Sequence, residues 1–302
     1  MNQIYKKTIK ISEKEAGRTV KDFLTRCLLP KHLRGQLRQE RGIRVNNQLV
    51  STAYQLVAGD LLELTLTIDD CDLQGPYPAN DDCLPDILFE NEDMLVVNKT
   101  AGMKMHPHSP TETDTILNYV QAYLDKNESQ SLGQPARAYM THRLDRATSG
   151  LVIIGKNPLA VPILNRKIKD KMVKKVYLAR VEGDFVKQFG QFNQPIGRSK
   201  EDERKRAVRS LDDGGQNALT GYQVLSKDCK SHTSLVRLEL ETGRMHQLRV
   251  HLAANGHPIV GDDLYGGRPA NRLYLNSSEL RFYLPWTGEE KRLLIENPFN
   301  DK

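Results

Sequence analysis

Short apolar runs recur through the later part of the chain, at MLVV (Met94–Val97), LVII (Leu151–Ile154), VYLARV (Val176–Val181) and SLVRLEL (Ser234–Leu240). The last alternates apolar with polar positions, as a strand with one buried face does. Helical spacing intervenes twice. Asn157 and Pro158 offer an N-cap and a proline for the first helical position, and Leu164, Ile168 and Met172 follow at four-residue intervals, with Pro162 delaying the regular part by a turn. A second helix is predicted from about Arg244, with Met245, Leu248 and Leu252 on one face, until Gly256 and Pro258 stop it. Nearer the start, Val20 to Leu29 and Leu33 to Arg41 predict two short basic helices. The stretch IRVNNQLV predicts strand, Asn46-Asn47 turn and strand, and LLELTLTI alternates as a further strand.

Between the two regions, GPYPANDDCLPD (Gly75–Asp86) combines glycine, prolines and acids and sustains neither helix nor central strand. It reads as a linker. The organisation predicted is a small module over 1–70, a linker over 71–86 and a larger domain over 87–302. No self-similarity at a period of about 20–50 residues points to a solenoid or propeller. Many strands with few helices favour an α+β class.

The length of 302 residues allows two such bodies, each with its own core. The opening stretch carries Lys6, Lys7 and Lys10 and lacks the apolar run of a secretory signal, and nothing approaches the roughly 20 apolar residues of a membrane helix. A soluble, cytoplasmic protein is expected. Cys27, Cys71, Cys83 and Cys229 lie far apart without Cys-x-x-Cys spacing, so unreactive thiols are expected rather than a zinc site or redox pair.

The net charge of +6 matters through its distribution. Arg166, Lys167, Lys169, Lys171, Lys174, Lys175 and Arg180 form the densest run, followed by Arg198, Lys200, Arg204, Lys205, Arg206 and Arg209. Arg26, Lys31, Arg34, Arg38, Arg41 and Arg44 cluster near the start, while Asp69, Asp70, Asp72, Asp81, Asp82 and Asp86 gather in between. Two readings follow: basic surfaces facing a polyanion, nucleic acid first among candidates, or solvated helix faces.

The densest cluster of reactive side chains is His142-Arg143-Leu144-Asp145-Arg146-Ala147-Thr148-Ser149-Gly150. A carboxylate between two arginines suits a nucleophile or an electrostatic partner better than a general acid; a surface turn with an Asp-Arg pair is the alternative. Ser149 lacks the Gly-x-Ser-x-Gly elbow of serine hydrolases. His106 and His108 lack further ligands at metal-binding spacing. No glycine-rich nucleotide-binding motif appears.

The stretch HRLDRATSGLVIIGKN resembles the central motif of the RluA-type pseudouridine synthases, and three further stretches fall in that family's order. They are MLVVNKTAGMKMHPHS (Met94–Ser109), KKVYLARVEG (Lys174–Gly183) and LETGRMHQLRVHLAANGHPIVGDDLYG (Leu240–Gly266). Thr100 stands where the family usually has proline. RVNNQLV with Gly59-Asp60 makes the first module similar to the small RNA-binding domain typified by ribosomal small-subunit protein four, an S4-like module.

The resemblance implies a mixed, mainly antiparallel catalytic domain preceded by a small α/β S4-like domain. The activity implied is isomerisation of uridine to pseudouridine in structured RNA, ribosomal or transfer, by a monomer without cofactor or metal. It makes Asp145 the catalytic carboxylate, attacking base or ribose, with Arg249 as its ion-pair partner and Tyr177 stacking on the target base. It further implies that Arg143 fills the space the flipped base leaves. His142, Thr148, Lys174, Lys175, Arg244 and His246 are expected at the substrate, and Arg34, Arg38 and Arg41 on RNA outside the active site. The first module would act as a second anchor, raising effective concentration at the site. Rival readings are a non-catalytic RNA-binding protein and a hydrolase using Asp145 with His142.

Overall fold

The structure, a computed structural model, describes residues 2–69, 77–127, 136–296, 298 and 299. Asp70, at the end of the expected module, and residues 71–76, the first part of the expected linker, lie outside the described residues. The first module runs β1 (Asn2–Lys10), α1 (Val20–Arg26), α2 (Lys31–Gln39), β2 (Ile43–Val45), β3 (Gln48–Leu49) and β4 (Leu61–Asp69), with sheet order β1-β4-β2-β3. Thr19 caps α1 by accepting from the Asp22 N–H. Asn46 and Asn47 both take positive φ, the geometry of a tight hairpin turn. Asn46 Nδ2 donates to Asp60 at 2.9 Å, which ties that turn to β4. The strand β1 was not anticipated, although Tyr5 and Ile9 are buried at even spacing.

The larger domain runs β5 (Ile87–Glu90), β6 (Met94–Lys99), α3 (Ile116–Lys126), β7 (Tyr139–Met140), β8 (Ser149–Gly155), α4 (Ala160–Lys169), β9 (Lys174–Glu182), β10 (Phe189–Phe192), β11 (Ile196–Arg198), β12 (Arg206–Val208), β13 (Thr220–Asp228), β14 (Thr233–Leu240), α5 (Gln247–Ala254), β15 (Leu275–Tyr283) and β16 (Glu290–Leu294). One sheet follows the order β10-β13-β14-β9-β15-β8-β6-β5, with β16 beside β15 and β7 beside β8. Its pairings are antiparallel except for β15 with β8, where Asn276 faces Ser149. The mixed, mainly antiparallel α+β architecture agrees with expectation.

Alternate residues of β6 enter opposite cores, Leu95 and Val97 joining the α3 side and Met94 and Val96 joining Leu164 of α4. Burial on both faces explains why MLVV reads as a continuous apolar run.

Two helix readings need correction. Met172 lies beyond α4 and is exposed, so the inward face is Ile163, Leu164 and the Lys167 stem. Likewise α5 begins at Gln247, leaving Met245 exposed outside it. Part of the expected basic surface is also spent internally. Lys167 is buried and donates to the Leu284 carbonyl at 2.9 Å, while Lys200 and Arg209 pair with Asp213 and Arg204 with Asp202.

The two regions share a core. Trp286, Tyr139, Leu159 and Ile163 of the larger domain belong to the same buried cluster as Tyr5, Phe23, Leu24 and Leu29. Lys7 Nζ lies 2.8 Å from both Glu92 and Asp93, and the Trp286 indole donates to Asp93 at 3.1 Å. The Cys27 thiol donates to the Trp286 carbonyl at 3.6 Å, and burial pushes its pKa up to about 12, so it stays an inert thiol. The described part of the linker is also fastened, since Asn118 of α3 donates to the Pro78 carbonyl and Lys126 pairs with Asp81. The first module is thereby clamped to the larger domain.

Candidate active site

The loop joining β7 to β8 carries His142 to Thr148 and is held at several points. His142 Nε2 accepts the Ile153 backbone N–H at 3.0 Å, which requires a neutral imidazole, and burial holds its pKa well below 6.5. Thr148 N–H donates to the Asp145 carbonyl at 3.1 Å, closing the turn around Asp145. At the entry to β8, Ser149 Oγ accepts from Asn276 at 2.7 Å and from Arg272. Gly150 follows at φ +114°, and a Cβ there would meet Ser277 backbone at 2.4 Å. Only glycine permits this approach of β8 to β15.

From below, Lys99 braces the same loop. It is fully buried and donates to the carbonyls of Thr100, Met103 and Arg146 at 2.9, 2.8 and 3.1 Å, so each ammonium hydrogen has an acceptor. Burial pushes its pKa down to about 7, opposed by the Asp145 charge. Sequence reasoning missed its role. Its signal was a lysine ending an apolar strand, a position from which the charge has to find internal partners.

Tyr177 projects from β9 between Leu238 and Ser277 on the neighbouring strands. Burial together with the Asp145 charge raises the pKa of its hydroxyl, so the phenol stays protonated.

Arg249, 5% exposed on α5, does not pair with Asp145 as expected. Its Nε and Nη2 donate to the two oxygens of Asp262 at 2.8 and 2.6 Å, a bidentate geometry that uses both carboxylate oxygens. The Tyr265 ring lies 5.0 Å from the guanidinium carbon. Asp145 still belongs to the same electrostatic neighbourhood and adds to the attractions that keep Arg249 charged. The flanking arginines do not pair with Asp145 either. Arg146 Nε donates to the Gly102 carbonyl, and Arg143 is exposed. Among the described residues, Asp145 faces His246, whose Nε2 lies 3.8 Å from Oδ2, a contact that is ionic only when the imidazole is protonated. Asp262 and Tyr265, like Lys99, were not singled out in the sequence; both lie within the last quoted motif, where nothing local marks them as partners.

One open cavity of about 850 Å³ is lined by Asp145, Tyr177 and Arg249 and by all seven residues expected at the substrate: His142, Arg143, Thr148, Lys174, Lys175, Arg244 and His246. Burial pushes Lys175 down to about 8. Arg244 reaches aside to the Asn217 carbonyl at 3.0 Å. Arg34, Arg38 and Arg41 lie apart, on or just after α2; Arg38 and Arg41 are exposed, while Arg34 bonds Thr25. A carboxylate beside a protonated phenol, under a rim of cations, suits a neutral planar group carried on a polyanion.

Residues 93–254 match the family model described as RNA pseudouridylate synthase, and residues 7–62 match the N-terminal domain of the RluD ribosomal pseudouridine synthase. The chain is 34% identical to the RNA pseudouridine synthase YhcT of Bacillus subtilis, over 96% of this chain and 93% of that protein. It is 31% identical to ribosomal large subunit pseudouridine synthase D of Salmonella typhimurium, over 96% and 90%. Among solved structures, human RNA pseudouridylate synthase domain containing 1 superposes with a TM-score of 0.61 at 28% identity, covering 74% of this chain and 86% of that one. Matched along both of its regions, the chain belongs to the RluA-type RNA pseudouridylate synthase family.

Proposed function

We propose that this chain isomerises uridine to pseudouridine in ribosomal RNA, with Asp145 as the catalytic carboxylate and Tyr177 against the target base. The reading is supported above all by the convergence of Asp145, Tyr177 and the expected substrate-binding residues on one cavity. Isomerisation breaks the bond from uracil nitrogen-1 to the ribose carbon, turns the base, and forms the bond from carbon-5. Carbon-5 loses its proton and nitrogen-1 gains one, so no electrons enter or leave. The base has to leave its stack first, at a cost of a few kcal/mol. Arg143, exposed and at the cavity wall, fills the vacated space. Lys174, Lys175 and Arg244 bind phosphate, while His142 and Thr148 hold the loop. His246 stands beside Asp145.

Arg249 acts here through Asp262 and the cavity wall, with Asp145 in the same electrostatic neighbourhood. Residues 1–70 serve as an RNA-binding module using Arg34, Arg38 and Arg41, 71–86 as the connection, and 87–302 as the catalytic domain. The match to the RluD N-terminal domain favours ribosomal over transfer RNA. The reading includes a cytoplasmic enzyme acting as a monomer.

RNA carrying tritium at uracil carbon-5 tests this. The wild-type chain is expected to release tritium to water, and Asp145→Asn to abolish release while RNA affinity stays within a few-fold. Affinity lost together with activity would make Asp145 structural, and release undiminished in the variant would remove it from the chemistry.

A further inference from the structure

His246 occupies a left-handed backbone conformation uncommon for non-glycine residues, with φ +57°, immediately before α5. Such strain persists where the surroundings over-determine it. Here the ring is held from two directions. Nδ1 lies 2.9 Å from the Tyr265 hydroxyl, with the two rings edge to face at 5.7 Å, and Nε2 points toward Asp145. The Tyr265 oxygen already accepts the Arg206 backbone N–H at 2.8 Å. Its own hydrogen is therefore available for Nδ1, because a hydroxyl carries one donor and two acceptor lone pairs. A neutral imidazole that accepts at Nδ1 bears its proton on Nε2. Tyr265 is itself fixed, since its ring lies over the Arg249 guanidinium, which Asp262 anchors.

We propose that Tyr265 fixes the Nε2–H tautomer of His246 and that this N–H orients the Asp145 carboxylate for the isomerisation. The inference rests on the reading of Asp145 given above and makes His246 and Tyr265 positioning residues, acting through Asp145 rather than on the substrate. The present 3.8 Å separation exceeds a hydrogen bond. Contacts of this kind shorten when substrate arrives. The charged groups around the imidazole are Asp145 and Asp262, which favour its protonation, and Arg249 and Arg206, which oppose it; burial is the largest influence and keeps it neutral near pH 7.

The test combines nitrogen-15 spectroscopy of the imidazoles of the full chain with single-turnover tritium release. The His246 resonances are identified by their loss in His246→Asn, a substitution that tolerates the left-handed backbone. The wild-type signal is expected to show protonation at Nε2, and Tyr265→Phe, which keeps the ring over Arg249 and deletes only the hydroxyl, is expected to mix the tautomers. Tyr265→Phe is expected to slow release about tenfold, the scale of one lost hydrogen bond. His246→Asn is expected to slow it about a hundredfold, the scale of a misplaced catalytic group. RNA affinity should stay within a few-fold in both. An Nδ1–H tautomer in the wild type, or release rates unchanged in both variants, would overturn the proposal. The tautomer is read without RNA, so a wild-type chain that released no tritium would refute the isomerase reading and leave the spectrum to decide the tautomer separately.

Discussion

Asp262, rather than Asp145, neutralises Arg249, and this changes what each substitution should do. Asp262→Ala leaves a buried guanidinium without its bidentate partner and is expected to lower stability by about 3–5 kcal/mol in urea unfolding. Asp145→Asn should leave unfolding close to wild type, because no structural ion pair with Arg249 is lost. Lys175 faces the cavity with a pKa of about 8, so its positive charge is present below that value and fades above it. RNA affinity measured by fluorescence anisotropy should therefore fall between pH 7 and 9, and Lys175→Arg should flatten the fall. Lys175→Ala should reduce the log–log salt slope by about 0.7 if it meets one phosphate of a single strand. His142 and His251 are both held below their ordinary 6.5 by burial. As pH drops below 6.5 the unfolded chain takes up protons that the folded chain refuses, so stability is complete above 6.5 and declines beneath it. The decline should approach about 1.4 kcal/mol per pH unit for each histidine, and His142→Gln should remove its share. Sequence motifs identified which side chains meet at the cavity. They did not identify who pairs with whom, because thirteen positions and a loop separate Arg249 from Asp262 and nothing local measures the distance between them.

At the scale of elements, legibility followed burial pattern. The strand Thr233–Leu240 alternates and was evident, as was β8 with its run of apolar residues. By contrast β15 was invisible, because Asn276, Ser277, Ser278 and Glu279 are buried in it and satisfied by hydrogen bonds and ion pairs rather than by apolar neighbours. The helix α3 was overlooked even though Leu117, Val120 and Leu124 recur on one face. The start of α5 was misjudged because His246 interrupts the helix with a left-handed residue, which spacing alone does not reveal. The loop that carries Asp145 depends on the hidden strand, since β15 passes against Gly150 too closely for any side chain. Gly150→Ala is therefore expected to reduce soluble yield and melting temperature sharply, through backbone clash and positive φ together. An equal melting temperature for that variant would show that β8 and β15 can separate without cost.

For the whole molecule, the sequence reading proposed a basic hairpin-containing part and a strand-rich part with a linker between them, and the structure adds contacts that join the two. Composition reveals linkers by glycine, proline and charge, whereas Trp286, Leu159 and Ile163 give no sign of which region they cover. Trp286→Ala is expected to cost about 3–5 kcal/mol, as large aromatic truncations in cores do. It should also turn one calorimetric transition into two. Removal of residues 1–70 would uncover Tyr139, Leu159, Ile163 and Trp286 together, so Arg38→Glu with Arg41→Glu is the cleaner probe of RNA binding by that region. The joint has a geometric consequence for substrates. Because Lys7 and Trp286 pin one part to the other, the arginines of α2 and the cavity form a yardstick of constant length. On the proposed role of those arginines, an RNA gripped at both ends would have to present its target uridine and its second foothold at that one spacing, and a correct local sequence in the wrong three-dimensional setting would be rejected.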